Sequence, residues 1–96
     1  MTVDRSTFYR HPDGRPMTSQ EQLVLLLEIG NLDYNAAAAI AGVSPTTILT
    51  YRKPSTKSRQ VSQAILRPLE KAVFDKLTDI AGRAGYELKL KPRKAA

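Results

Sequence analysis

The stretch Leu32 to Lys53, LDYNAAAAIAGVSPTTILTYRK, decides the reading of this chain. Asp33 is a good N-cap, because its carboxylate can accept from the free backbone N–H groups at a helix start. Tyr34, Asn35, the run Ala36 to Ala39, Ile40 and Ala41 follow, and alanine has the best intrinsic helix propensity. Alanine also has almost no side chain, so another helix can approach closely. Gly42 stops the helix, since glycine accepts the left-handed backbone that a C-cap needs. Ser44 can cap the next helix, and Pro45 stands at its first position, where a missing N–H costs nothing. Thr46 to Arg52 continue that helix. Pro54 ends it and pushes Lys53 out of the helical region.

Helix, glycine turn, Ser-Pro start and proline stop thus fall within about twenty residues, the size of a helix-turn-helix. The apolar positions agree with two helices packed on each other through Ala38, Val43 and Ile48, with Tyr51 close to one turn beyond Ile48. Thr46, Thr47 and Thr50 are left on the outward face. Exposed β-branched polar residues are poor helix formers. They are useful where hydroxyls and methyls meet base edges or phosphates.

On these residues the segment resembles the helix-turn-helix of the Cro and lambda-repressor-like superfamily of phage, plasmid and bacterial regulators. Members often carry Ala in the middle of the first helix, Gly-Val-Ser at the turn, a β-branched aliphatic in the second helix and an aromatic one turn later. Those are Ala38, Gly42-Val43-Ser44, Ile48 and Tyr51 in this chain. The resemblance covers roughly a quarter of the sequence and implies a DNA-binding regulator. One departure is the lack of Gln at Tyr34 or Thr46, where many relatives use it to contact DNA. The bland alternative is an ordinary αα corner, because Gly-Val-Ser-Pro between two apolar stretches also occurs there.

Charge favours the nucleic-acid reading. The chain has 96 residues, a net charge of +6 and no cysteine. Such a balance favours polyanionic partners. No Asp or Glu occurs between Asp33 and Glu70, whereas Arg52, Lys53, Lys57, Arg59 and Arg67 fall in that window. An acid-free basic surround is what a phosphate-facing surface requires; a solvated basic face with no partner is the competing reading. Without cysteine there are no disulfides, zinc fingers or thiol catalysis. No apolar run approaches the about eighteen residues of a membrane span, and no signal-peptide pattern opens the chain. A soluble, cytoplasmic protein without cofactor or metal is expected. One histidine, with no plausible triad or carboxylate pair, argues against an enzyme.

The remaining chain reads as support. Asp13-Gly14 is a turn signal, so Thr7 to Arg10 and Arg15 to Met17 can form a small hairpin or extended arm. Arg5, Arg10 and Arg15 there could touch DNA backbone or simply be solvated. His11 is expected at the surface. Thr18-Ser-Gln-Glu21 is a capping box, followed by a helix with Leu23, Leu26, Leu27 and Gly30 on one face. Ser55 to Arg59 reads as a basic loop. Val61 to Leu66 can begin another helix, with Pro68 starting or kinking a longer one. Its stripe of Leu69, Val73, Leu77 and Ile80 serves equally as core or as dimer surface. Tyr86 to Lys91 alternates as a strand and needs a partner, either the N-terminal ribbon of the same chain or a second subunit.

The expected fold is mainly α: four to five helices with a central helix-turn-helix, a short N-terminal β-ribbon and a C-terminal β-strand. One domain is parsed as an arm (1–17), the helix-turn-helix core (18–54), C-terminal helices (55–85) and a strand with basic tail (86–96). The expected function is a sequence-specific transcriptional regulator, a repressor in type, binding a palindromic operator in double-stranded DNA as a homodimer. Ser44, Pro45, Thr46, Thr47, Thr50, Arg52, Lys53, Lys57 and Arg59 would contact DNA. Leu69, Val73, Leu77, Ile80, Tyr86, Leu88 and Leu90 would form the dimer. The alternative is a phage DNA-packaging component such as a small terminase subunit, which also joins a helix-turn-helix to an oligomerising part.

Overall fold

The computed structural model describes residues 2–52 and 60–91, with the side chain of Arg52 outside that set. In chain order the elements are β1 (Thr2–Val3), α1 (Arg5–Phe8), α2 (Ser19–Ile29), α3 (Tyr34–Ala41), α4 (Pro45–Arg52), α5 (Gln63–Arg83) and β2 (Lys89–Leu90). The molecule is mainly helical, with a two-stranded parallel sheet joining its two ends. The core is formed by Leu23, Leu26 and Leu27 of α2, Ala37 and Ala38 of α3, Ile48 of α4, and Ile65, Leu66, Leu69 and Val73 of α5, together with Val61.

Local chemistry sets the helix boundaries. Thr18 and Glu21 form the expected capping box at the start of α2. The end of α2 is closed by Asn31 at φ 52°, with the Leu32 N–H donating to the Leu27 carbonyl at 2.9 Å. That is a Schellman ending, which needs a left-handed residue just past the helix. The same device ends α3, where Gly42 takes φ 73° and the Val43 N–H donates to Ala38 at 3.0 Å.

Gly30 has a different task. A Cβ there would stand 2.9 Å from Cγ2 of Val73 and 3.2 Å from Cγ of Leu32. Its backbone is ordinary right-handed helix, so the constraint is space for α5 and not dihedral freedom. Beside it, Lys76 Nζ donates to the Gly30 carbonyl at 2.7 Å, which satisfies a C-terminal acceptor of α2 and fixes α5 across it.

Three expectations are corrected. Thr7 and Phe8 are not strand. Asp4 caps α1 by accepting from the Ser6 N–H at 2.9 Å, and Phe8 packs on Phe74 with ring centroids 4.9 Å apart. The hairpin is reduced to one antiparallel bridge, Arg10 to Pro16, around the Asp13-Gly14 turn. Secondly, Gln63–Arg83 is a single helix that runs through Pro68. Proline cannot donate to the Ala64 carbonyl, but burial of Ile65, Leu66 and Leu69 on either side holds the helix together. Thirdly, the C-terminal strand is Lys89–Leu90 and its partner is Thr2–Val3 of the same chain, upstream of the expected ribbon. Tyr86 cannot lengthen it on the helix side, because its N–H closes α5 by donating to Ala81 at 2.8 Å.

The termini are held by a buried ion pair. Glu70 is 5 % exposed. Its Oε1 accepts from Arg5 Nε at 3.0 Å and from the Tyr9 hydroxyl at 2.8 Å, and Arg5 Nη1 donates to the Lys91 carbonyl at 2.6 Å. Arg5 is therefore a structural clamp and not a solvated arm residue. His11 is also not a free surface group, since its Nε2 lies 2.5 Å from Glu21 Oε2.

Gly30→Ala should destabilise by about 1–3 kcal/mol through overpacking against Val73. Gly82→Ala, where a Cβ meets open space, should be neutral or stabilising by up to about 1 kcal/mol. Denaturant unfolding of the two variants checks both.

Acid should weaken the fold. Bonds from Ser6 hold the Asp4 carboxyl below the usual carboxylate range, bonds from Arg15 do so for Asp13, and the Thr18 backbone does so for Glu21. Groups depressed in the folded state stabilise it above their unfolded values, and that contribution disappears as pH falls through the folded ones. Thermal midpoints should therefore decline as pH drops below about 4, and Asp4→Asn should remove part of that decline.

Candidate nucleic-acid interface

The candidate surface is the outer side of α4, and the turn before it determines how α4 is presented. Gly42 reverses the chain in the left-handed region, and Ser44 then opens the helix. Ser44 Oγ accepts from the Thr47 N–H at 3.3 Å and lies 3.0 Å from Thr47 Oγ1. Pro45 has no N–H and the Thr47 N–H is taken by Ser44, so of the first three residues of α4 Thr46 alone offers a backbone donor at the exposed end of the helix, beside exposed Ser44 and Pro45.

Two contacts hold α4 against the body. Ile48 is fully buried, its apolar side chain lying in the same cluster as Ala37 and Ala38. At the other end, Gln20 Nε2 donates to the Tyr51 carbonyl at 2.7 Å, which ties the last turn of α4 to the first turn of α2. Tyr51 itself is half-buried against the core. An eight-residue helix is not stable alone in water, so these contacts define its position.

The outward face differs in detail from the three-threonine reading. Pro45, Thr46 and Leu49 are exposed, while Thr47 and Thr50 are half-buried. Thr50 Oγ1 donates to the Thr46 carbonyl at 2.8 Å. The Thr47 hydroxyl is shared with the Ser44 cap. Thr46, Thr47, Thr50 and Tyr51 together line a shallow depression. Leu49, 38 % exposed, flanks Thr46 on the side away from this depression and was missed in the sequence. The available signal was its spacing, one position past the buried Ile48 and three past Thr46.

Arg52 ends α4. Its side chain, and Lys53, Lys57 and Arg59 altogether, lie outside the described residues. The two sides of the acid-free window are still visible. Asp33 faces its own helix, accepting from the Ala36 N–H at 2.7 Å, and Glu70 is buried with Arg5 and Tyr9. No described residue of α4 carries a negative charge.

The proposed dimer set divides. Leu69 and Val73 are 0 % and 1 % exposed and belong to the chain's own core, so they have no surface for a second copy. Apolar periodicity marks a face without saying what covers it, and here α2 and α3 cover the first half of α5. Leu77, Leu88 and Leu90 are half-buried, whereas Ile80 and Tyr86 are 62 % and 68 % exposed.

The chain matches no family model, no curated protein and no solved structure. No single helix among the described residues is long and apolar enough to cross a membrane.

Gln20→Ala should cost about 1 kcal/mol by leaving the Tyr51 carbonyl unpaired, whereas Ile48→Ala should cost about 2–5 kcal/mol through the cavity it opens. Urea unfolding followed by circular dichroism measures both.

Proposed function

We propose that this protein is a sequence-specific DNA-binding regulator of transcription of the Cro and lambda-repressor-like type, acting in the cytoplasm as a homodimer on a palindromic operator. The observation that carries this reading is α4 itself. A left-handed glycine turn and a serine cap deliver a short helix with its N-terminus and one face exposed, inside a stretch of 36 residues, Tyr34 to Leu69, without a single acid. An αα corner needs the turn and the buried Ile48. It does not need the exposed Pro45, Thr46 and Leu49 or the absence of negative charge.

In this reading the N-terminal turn of α4 holds a DNA phosphate through the Thr46 N–H together with the Ser44 hydroxyl. Thr46, Thr47 and Thr50 meet base edges, the threonine methyls and Leu49 suiting thymine methyls in the major groove. Arg52, Lys53, Lys57 and Arg59 hold phosphates, with Arg52 also able to reach a guanine. A helix this short reads few base pairs, and two-fold pairing doubles the readout. A repressor is favoured over an activator only by the resemblance of Ala38, Gly42-Val43-Ser44, Ile48 and Tyr51.

Selection from random duplex DNA followed by sequencing tests this directly. The expected product is a palindrome whose half-sites lie about one helical turn apart; no enrichment overturns the reading. On the selected site, Thr47→Ala with Thr50→Ala should reduce specific binding far more than binding to scrambled duplex. Lys57→Ala should weaken both alike and lower the salt slope by about one.

A further inference from the structure

We propose that two copies of this chain pair edge to edge through β2, antiparallel, with Leu88 of one copy opposite Leu88 of the other. The inference deepens the dimer reading above and rests on it, but it concerns elements other than α4.

Among the described residues the sheet of β1 and β2 has two strands, so each strand keeps one edge with no described neighbour. The Lys91 N–H donates to the Val3 carbonyl at 2.8 Å. Successive main-chain groups of a strand point to opposite sides, so Lys89 and Lys91 turn theirs toward β1 and Leu90 turns its own away; Leu88 precedes β2 in the single chain, and the pairing extends the strand back through it with the same alternation. No other described segment bonds to the outward main chain of Leu88 or Leu90.

Charge and backbone polarity then select one register. Centring the pair on Leu88 makes Leu88 with Leu88, and Tyr86 with Leu90, the hydrogen-bonded positions. The Tyr86 N–H is already given to Ala81, so that position contributes only the bond from the Leu90 N–H to the Tyr86 carbonyl. Glu87 falls opposite Lys89 of the second copy, twice, at the non-hydrogen-bonded positions where side chains lie nearest. Glu87 and Lys89 already stand 3.3 Å apart within one chain, so the dimer carries four charges of alternating sign on one face. Centring on Lys89 would set Lys89 against itself at a non-hydrogen-bonded position, where the two like charges lie nearest. Centring on Leu90 would set Lys89 against Lys91. Tyr86, the most exposed large apolar side chain of the described residues at 68 %, lies within this segment and would be covered.

The absence of cysteine makes the register measurable by single-cysteine variants of the full chain, with no DNA present. Under mild oxidation Leu88→Cys should form a disulfide dimer at least about tenfold faster than Lys89→Cys or Leu90→Cys, because only that pair brings Cα atoms within bridging distance. Equal rates, or no cross-linking by any of the three, overturns the register. In sedimentation equilibrium Glu87→Lys and Lys89→Glu should each raise the dimer dissociation constant about tenfold, and the double exchange should restore it to within about threefold. A double variant no tighter than the single ones, or a wild-type chain monomeric at about 100 μM, overturns the proposal. Duplex binding by α4 is read in a separate titration, so failure of the dimer and failure of the DNA reading are distinguishable.

Discussion

Everything this protein presents to a partner through α4 depends on the burial of one side chain, Ile48. The helix has eight residues, three of them threonine and one proline, and no such segment keeps a helical conformation in water alone. Ile48 is the one residue of α4 that is fully buried, and it lies where α3 offers alanines. The flat surface of Ala37 and Ala38 allows α3 and α4 to approach closely, while the Ser44 cap and the Gln20 contact hold the two ends. The exposed face of α4 is thereby left free of any structural duty. A larger residue at Ala38 would move α4 as a whole.

The rest of the chain is organised to hold that pair of helices in place. The nearest approach is between Gly30 and Val73, where even a methyl group would collide. It sets the distance between α2 and α5, and α3 lies against α5 and α4. Glu70 does the corresponding work for the chain ends. A buried carboxylate needs partners, and it finds Arg5 and Tyr9. The same guanidinium reaches the Lys91 carbonyl, so both termini are gathered onto one side of α5.

The legible features were those with local causes. The capping box Thr18–Glu21, the Asp33 cap, the stop at Gly42 and the Ser-Pro start of α4 each involve hydrogen bonds spanning at most five residues, and each appears where the spacing predicts it. Features with distant causes were misread. Thr7 and Phe8 look like strand until Phe8 is seen against Phe74. Leu69 and Val73 look available for a dimer until α2 and α3 are set on them. Leu49 was overlooked because an apolar residue on a short helix reads as core, and only the burial of its neighbour Ile48 reveals that it faces outward.

The sequence by itself therefore determined where α2, α3 and α4 start and stop, the acid-free charge pattern and the helix-turn-helix spacing. These are properties of neighbouring residues, and caps and left-handed turns are satisfied within a few positions of the chain. Tertiary structure alone decided which half of the α5 stripe is buried, that Gly30 must lack a side chain, and that Thr2–Val3 rather than the hairpin pairs with β2. It also decided that Arg5 belongs to Glu70 and Lys91, partners 65 and 86 residues away. Contacts of that separation carry no local signature, because nothing in the neighbouring residues states which distant group will satisfy a charge or cover an apolar face.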